Sequence, residues 1–278
     1  MKIDNWRLFQ FFKYAVYLLL TTNVYLFFVD EYAAASVEFP DGITLFQWIG
    51  AYASTIDTAN WVVLLLLFEL ETCILDDRHF TPTVTVSLRI MRALCYALIV
   101  YSLWGYIANV VFLADTAILS GLSNLCALPT GEWSFATTLD EYELVTAANC
   151  STLSEASQFL RLGDLAIVAD QAGLTDIRLL AWVDVINASV WILVVIALEI
   201  DVFLQERGQF EGRILKTSNA AKFLLYAILF LAAVYWGLKG DFVDFWDAFL
   251  WLVAFFFIEM NVIEWRQEIR EEQALPAA

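Results

Sequence analysis

The sequence predicts an all-α integral membrane protein: six transmembrane helices as three tandem helical hairpins, with a disulfide-stapled extracytoplasmic cap. Composition, the length of the apolar runs and a register shared by alternate runs point to it. Of 278 residues, 61% are hydrophobic and only 17% charged, whereas soluble domains run nearer half apolar and a quarter charged. The apolar residues fall in runs that can cross roughly 30 Å of hydrocarbon at about 1.5 Å of helix per residue. Six runs qualify, Leu8–Val29, Asp57–Leu75, Arg89–Leu113, Val183–Leu204, Ala220–Leu238 and Val243–Ile263. The apolar stretch Ile43–Tyr52 is expected to lie at the outer interface or to extend the second span. The first run is too long for a signal-peptide h-region, and no clean small-residue cleavage site follows it, so it reads as a retained span.

Orientation follows from the basic residues. Twelve of the 15 Lys and Arg fall at the N-terminus, in the links after spans two and four, or after span six; only Arg161, Arg178 and Lys239 fall on the other side. The positive-inside rule then places both termini in the cytoplasm of a plasma or bacterial inner membrane. Three segments result: membrane helices one to three over 1–114, the cap over 115–182, and helices four to six with a short tail over 183–278. The cap carries Cys126 and Cys150, expected to be disulfide-bonded in an oxidising compartment. Cys73 and Cys95 sit in spans and read as packing residues. Within the cap, Thr152–Gly173 reads as an amphipathic helix from the spacing of Leu153, Ala156, Phe159, Leu160 and Leu162.

Spans two, four and six share one pattern. Trp61, Trp191 and Trp251 each stand eight residues before Glu69, Glu199 and Glu259. Twelve residues before each Glu stands Asp57, Asn187 or Asp247, and two residues after it stands Glu71, Asp201 or Asn261. The odd spans share a weaker pattern, in which Lys13, Arg92 and Lys222 are each followed four residues later by Tyr17, Tyr96 and Tyr226. Mitochondrial carriers also use three two-helix repeats. Their proline, acid and base signature on the odd helices is absent, since none of the four prolines lies inside a predicted span.

Ionisable groups in a span are costly and are candidates for function. Glu69 stands nine residues before Arg78, about 13 Å along its helix. Glu199 and Glu259 stand at similar depths, as do Lys13, Arg92 and Lys222. One reading makes three structural ion pairs: Lys13 with Glu69, Arg92 with Glu199, Lys222 with Glu259. The other makes a proton or cation track from Glu69, Glu199 and Glu259, with Glu71, Asp201 and Asn261 adding polarity one helical face away. Asp57, Asn187 and Asp247 read as N-caps, and the three tryptophans as an interfacial belt.

Several classes are excluded. A net charge of −17 without a basic stripe argues against nucleic acid. The single histidine, His79, falls in a predicted link, which argues against haem, imidazole-based metal sites and a Ser-His-Asp triad. No glycine-rich phosphate loop occurs. The chain therefore reads as a non-enzyme with no metal and no cofactor. Its expected partners are the lipid bilayer and either further copies of itself or other subunits of a membrane complex. The first functional reading is small-ion or proton transport on the intramembrane glutamates. The alternative is an accessory or assembly subunit whose charges are dry and paired.

Overall fold

A computed structural model describes residues 2–44, 47–71, 75, 81–156, 158–207 and 212–256, with the side chains of 2–7 and of Glu206 left undescribed. The order is α1 (Lys2–Glu38), α2 (Trp48–Ala51), α3 (Ala53–Glu69), α4 (Pro82–Ala114), β1 (Thr116–Ile118), β2 (Ser134–Ala136), β3 (Tyr142–Leu144), β4 (Phe159–Leu162), β5 (Ile167–Asp170), α5 (Gln171–Glu206) and α6 (Gly212–Lys239). A last helix, α7, covers 242–256. Among the described residues four helices are long and apolar enough to cross a membrane: Leu8–Glu38 of α1, α4, Gln171–Gln205 of α5, and α6. α3, the core of the second predicted span, has 17 residues, short of the roughly 20 that a perpendicular crossing asks for.

The chain divides into two compact units, residues 24–193 and residues 1–23 with 194–278. In the first, α4 opens as its sequence dictates. Thr81 Oγ1 accepts the Val84 N–H at 3.4 Å and Pro82 supplies a helical φ without an N–H to satisfy. Beyond α4 stands a five-stranded sheet in the order β1-β4-β5-β2-β3, antiparallel except where β2 pairs with β5. Cys126 and Cys150 are disulfide-bonded beneath it.

This sheet corrects the helix expected over 152–173. Thr152–Ser154 forms one short turn, the β4–β5 hairpin over 159–170 reverses at Gly163 with φ +51°, and α5 begins at Gln171. The reason is burial on both faces. Leu160, Leu162, Ile167 and Ala169 pack with Leu113 of α4 and Leu174, Ile177 and Ala181 of α5. Phe159 and Val168 point the other way, into a core with Leu125, Phe135, Val145 and Cys150. A strand covered on both sides is apolar at successive positions and loses the alternation that marks a half-exposed strand.

In the other unit, α6 and α7 meet at a tight reversal. Gly240 takes φ +86°, and the Asp241 N–H closes onto the Trp236 carbonyl at 3.1 Å. A β-carbon on Gly237 would stand 3.2 Å from the Phe245 ring, so the two helices need a small residue there. Leu20, Val194, Leu229, Trp236 and Ala254 are buried in this unit.

Candidate functional site

The polar residues of the shared register make specific contacts. Asp57 lies inside α3, not at its start, because α3 begins at Ala53. Its Oδ1 accepts the Trp61 indole N–H at 3.1 Å and its Oδ2 accepts the Tyr106 hydroxyl of α4 at 3.4 Å. Positions i and i+4 face the same side of a helix, so carboxylate and indole satisfy each other. Asp247, within α7, repeats the arrangement: it accepts from Trp251 and, at 2.7 Å, from the Asn23 amide of α1. Asn187 also lies mid-helix, in α5, where its buried Oδ1 has no hydrogen-bond partner among the described residues.

The three residues are therefore interior polar nodes rather than N-caps. The tryptophans are interior as well, at 8%, 6% and 5% exposure for Trp61, Trp191 and Trp251, which overturns the belt reading. Trp61 and Trp191 touch, with ring centroids 6.3 Å apart. The i, i+4 spacing of carboxylate and tryptophan was the signal that could have shown this.

Arg92 and Lys222 each meet an acid outside the expected scheme. Arg92 of α4 bonds Glu71, where Glu199 was expected. Glu71 sits on a π-turn that widens the end of α3, marked by the Leu75 N–H reaching back to the Leu70 carbonyl. Lys222 of α6 lies 2.9 Å from Asp201 of α5, with side chains 7% and 1% exposed. That contact is ionic rather than directional, since Asp201 Oδ2 receives no hydrogen bond of good geometry. Oδ1 accepts the Ser218 hydroxyl at 2.5 Å. Each base lies 21 residues after its acid, close enough in sequence for a hairpin link to hold the two together.

The remaining candidates are distributed. Lys13 and Glu69 are buried at 2% and 3% exposure. Glu199 is exposed on α5. Glu259 and Asn261, and with them the expected Lys222–Glu259 pair, lie outside the described residues, as does His79.

A second group was not singled out from the sequence. α3 has no side-chain cap of its own. Glu31 of α1 supplies one: Oε1 accepts the Ser54 N–H at 2.6 Å, and Oε2 accepts the Thr55 N–H at 3.0 Å and the Thr55 hydroxyl at 2.5 Å. A carboxylate at a helix N-terminus answers free amides and the positive end of the dipole together. Two turns along the same face of α1, Glu38 accepts the Tyr142 hydroxyl of β3 at 2.5 Å. Burial, then the adjacent Glu38 carboxylate, push that hydroxyl well above its ordinary titration range. Between Glu31, Glu38, Tyr106, Asn109, Asp140 and Asp184 lies a pocket of about 10 Å³, near the smallest space that holds one water. Among the described residues no cluster of His, Cys, Asp or Glu has the arrangement to hold a metal. No protein family, curated protein or solved structure matches this chain.

Proposed function

We propose that this chain is a non-catalytic accessory or assembly subunit of a membrane complex, with the sheet-bearing cap as its extracytoplasmic contact module. In this reading α3 and α7 complete six spans in three hairpins, and both termini are cytoplasmic. The observation that carries it is the Asp201–Lys222 contact, which is dry and internally neutralised. A conduit needs carboxylates that face water and exchange their cation. Asp201 is instead committed to Lys222 and Ser218, and Glu71 to Arg92. The cap supports the role in another way, since its disulfide suits a compartment in which an exposed module must persist.

The test uses four proteins: wild type, Asp201→Asn, Lys222→Met and the double variant. Each is reconstituted into proteoliposomes, and proton and cation flux and thermal stability are measured together. The expected result is no flux above empty vesicles, two destabilised single variants and a double variant that recovers much of the loss. Wild-type flux that Asp201→Asn removes without loss of stability would overturn the proposal and restore the transport reading.

A further inference from the structure

We propose that Glu199 of α5 marks a docking face for a transmembrane helix of a partner subunit, one that carries an arginine or lysine at the same depth in the bilayer. The proposal rests on the accessory reading above and names the chemistry of the partner.

The face is read from residues 194–206 of α5, one of the helices long and apolar enough to cross a membrane. Asp201 and Glu199 are two residues apart, so their side chains point about 200° apart around the helix. Asp201 turns to α6, where it meets Lys222 and Ser218. Glu199 therefore turns away from α6, and it is exposed. Around it Ile196 is 47% exposed, Ile200 51%, Val202 45% and Phe203 50%. Glu199 has no hydrogen bond or ion pair among the described residues.

Depth decides what can answer this charge. Glu199 stands seven residues before Glu206, the last residue of α5, or about 10 Å along the axis. Val202 and Phe203 lie exposed between them, so apolar surface separates the carboxylate from the helix end. Lysine or arginine could snorkel over such a distance, but a glutamate side chain is too short. Arg207, just past the end of α5, is eight residues or about 12 Å away. It packs over the Phe203 ring at 4.1 Å from the centroid. A headgroup ammonium stays at the membrane surface, with Val202 and Phe203 in between.

Ionisable groups in a span face the protein interior or water, or pair with one another. Glu69, at the equivalent place of the shared register in α3, follows this rule at 3% exposure. Glu199 follows it only once a second helix covers it. A carboxylate among apolar side chains needs a cation beside it to stay charged. A partner helix with one base supplies that cation, and its apolar residues pack on Ile196, Val202 and Phe203. The ion pair then sets which helix docks and at what register. Arginine suits the place best, because it stays charged and offers a carboxylate two parallel N–H donors.

The probe is a leucine-rich transmembrane peptide of about 20 residues with one arginine about 10 Å from its end, alongside versions with leucine or glutamate at that site. Full-length protein with a donor fluorophore at the C-terminus is reconstituted with acceptor-labelled peptide, and energy transfer is followed as the peptide-to-lipid ratio falls. Wild type is expected to bind the arginine peptide at least about tenfold more tightly than the leucine one, and Glu199→Gln to lose that preference. Glu199→Arg is expected to reject the arginine peptide and to bind the glutamate peptide to within about threefold of the affinity of wild type for the arginine peptide. A misfolded variant could not give that exchange. Equal binding of the arginine and leucine peptides by wild type, or a preference that survives Glu199→Gln, would overturn the docking face. So would energy transfer between two labelled copies of the chain that Glu199→Gln removes, since it assigns the face to self-association. Proton flux is measured in the same vesicles. Absence of the peptide preference without flux overturns the docking face alone, whereas flux that Glu199→Gln abolishes overturns the accessory reading with it.

Discussion

Two acid–base contacts at the same spacing differ sharply in surroundings. Glu71 and Arg92 keep 23% and 36% of their side-chain surface, whereas Asp201 and Lys222 keep 1% and 7%. A part-exposed pair matters little when one partner is lost, because a long side chain such as that of Arg92 can carry its charge toward the helix end. A dry pair contributes little net stability either, but it cannot be half removed, since the survivor is left charged and desolvated. The 201–222 contact therefore enforces one arrangement of α5 and α6. The 71–92 contact does not hold its hairpin to a comparable degree. There, α4 passes so close to α2 that a β-carbon on Gly105 would meet the Ile49 carbonyl oxygen at 2.7 Å, and Glu31 clamps the start of α3.

The largest expected effect breaks the dry pair. Asp201→Asn should destabilise the fold by about 3–5 kcal/mol, with Asp201→Asn plus Lys222→Met much closer to wild type. Thermal unfolding of the detergent-solubilised proteins measures both, and additive losses would show that the two residues do not act as a pair. Next is the packing that replaces the ion pair in the other hairpin. Gly105→Ala should cost about 1–3 kcal/mol, since carbonyl backbone rather than a flexible side chain must move; an unchanged melting temperature would remove packing from the account. Glu31→Gln should cost about 1–2 kcal/mol, because a neutral amide accepts from α3 less strongly and offers the helix dipole no charge. Protection of the Ser54 and Thr55 amides from hydrogen exchange should fall with it, and unchanged protection would place the cap elsewhere. The smallest effect sharpens the contrast: Glu71→Gln should cost less than about 1 kcal/mol, because Arg92 can carry its charge toward the helix end. A loss as large as that of Asp201→Asn would erase the distinction between the two contacts.

The apolar runs that became α1, α4, α5 and α6 were legible, because hydrophobicity sustained over such lengths has few other uses. The Cys126–Cys150 bond was legible from two cysteines in one loop. The β4–β5 hairpin was hidden because Phe159 and Leu160 are both buried, on opposite faces, so helix and strand patterns look alike over so short a stretch. The register picked out Asp57, Trp61, Asp247 and Trp251, yet a boundary role was assigned to groups that bond each other in the interior. Arg92 was matched to Glu199 of the following span, whereas it meets Glu71 of the preceding one. Equal depth did not say which neighbouring helix a base faces, nor which of two acids two residues apart on that helix turns toward it.

The Glu31 clamp also has a consequence in the order of synthesis. It joins residues 23 and 24 apart in sequence, so it can close while α4 is still being made. α3, short and uncapped by its own residues, then acquires a fixed start from the helix already synthesised before it. Nascent chains arrested at increasing lengths, with and without Glu31→Gln, would show α3 gaining protection before or only after α4 emerges.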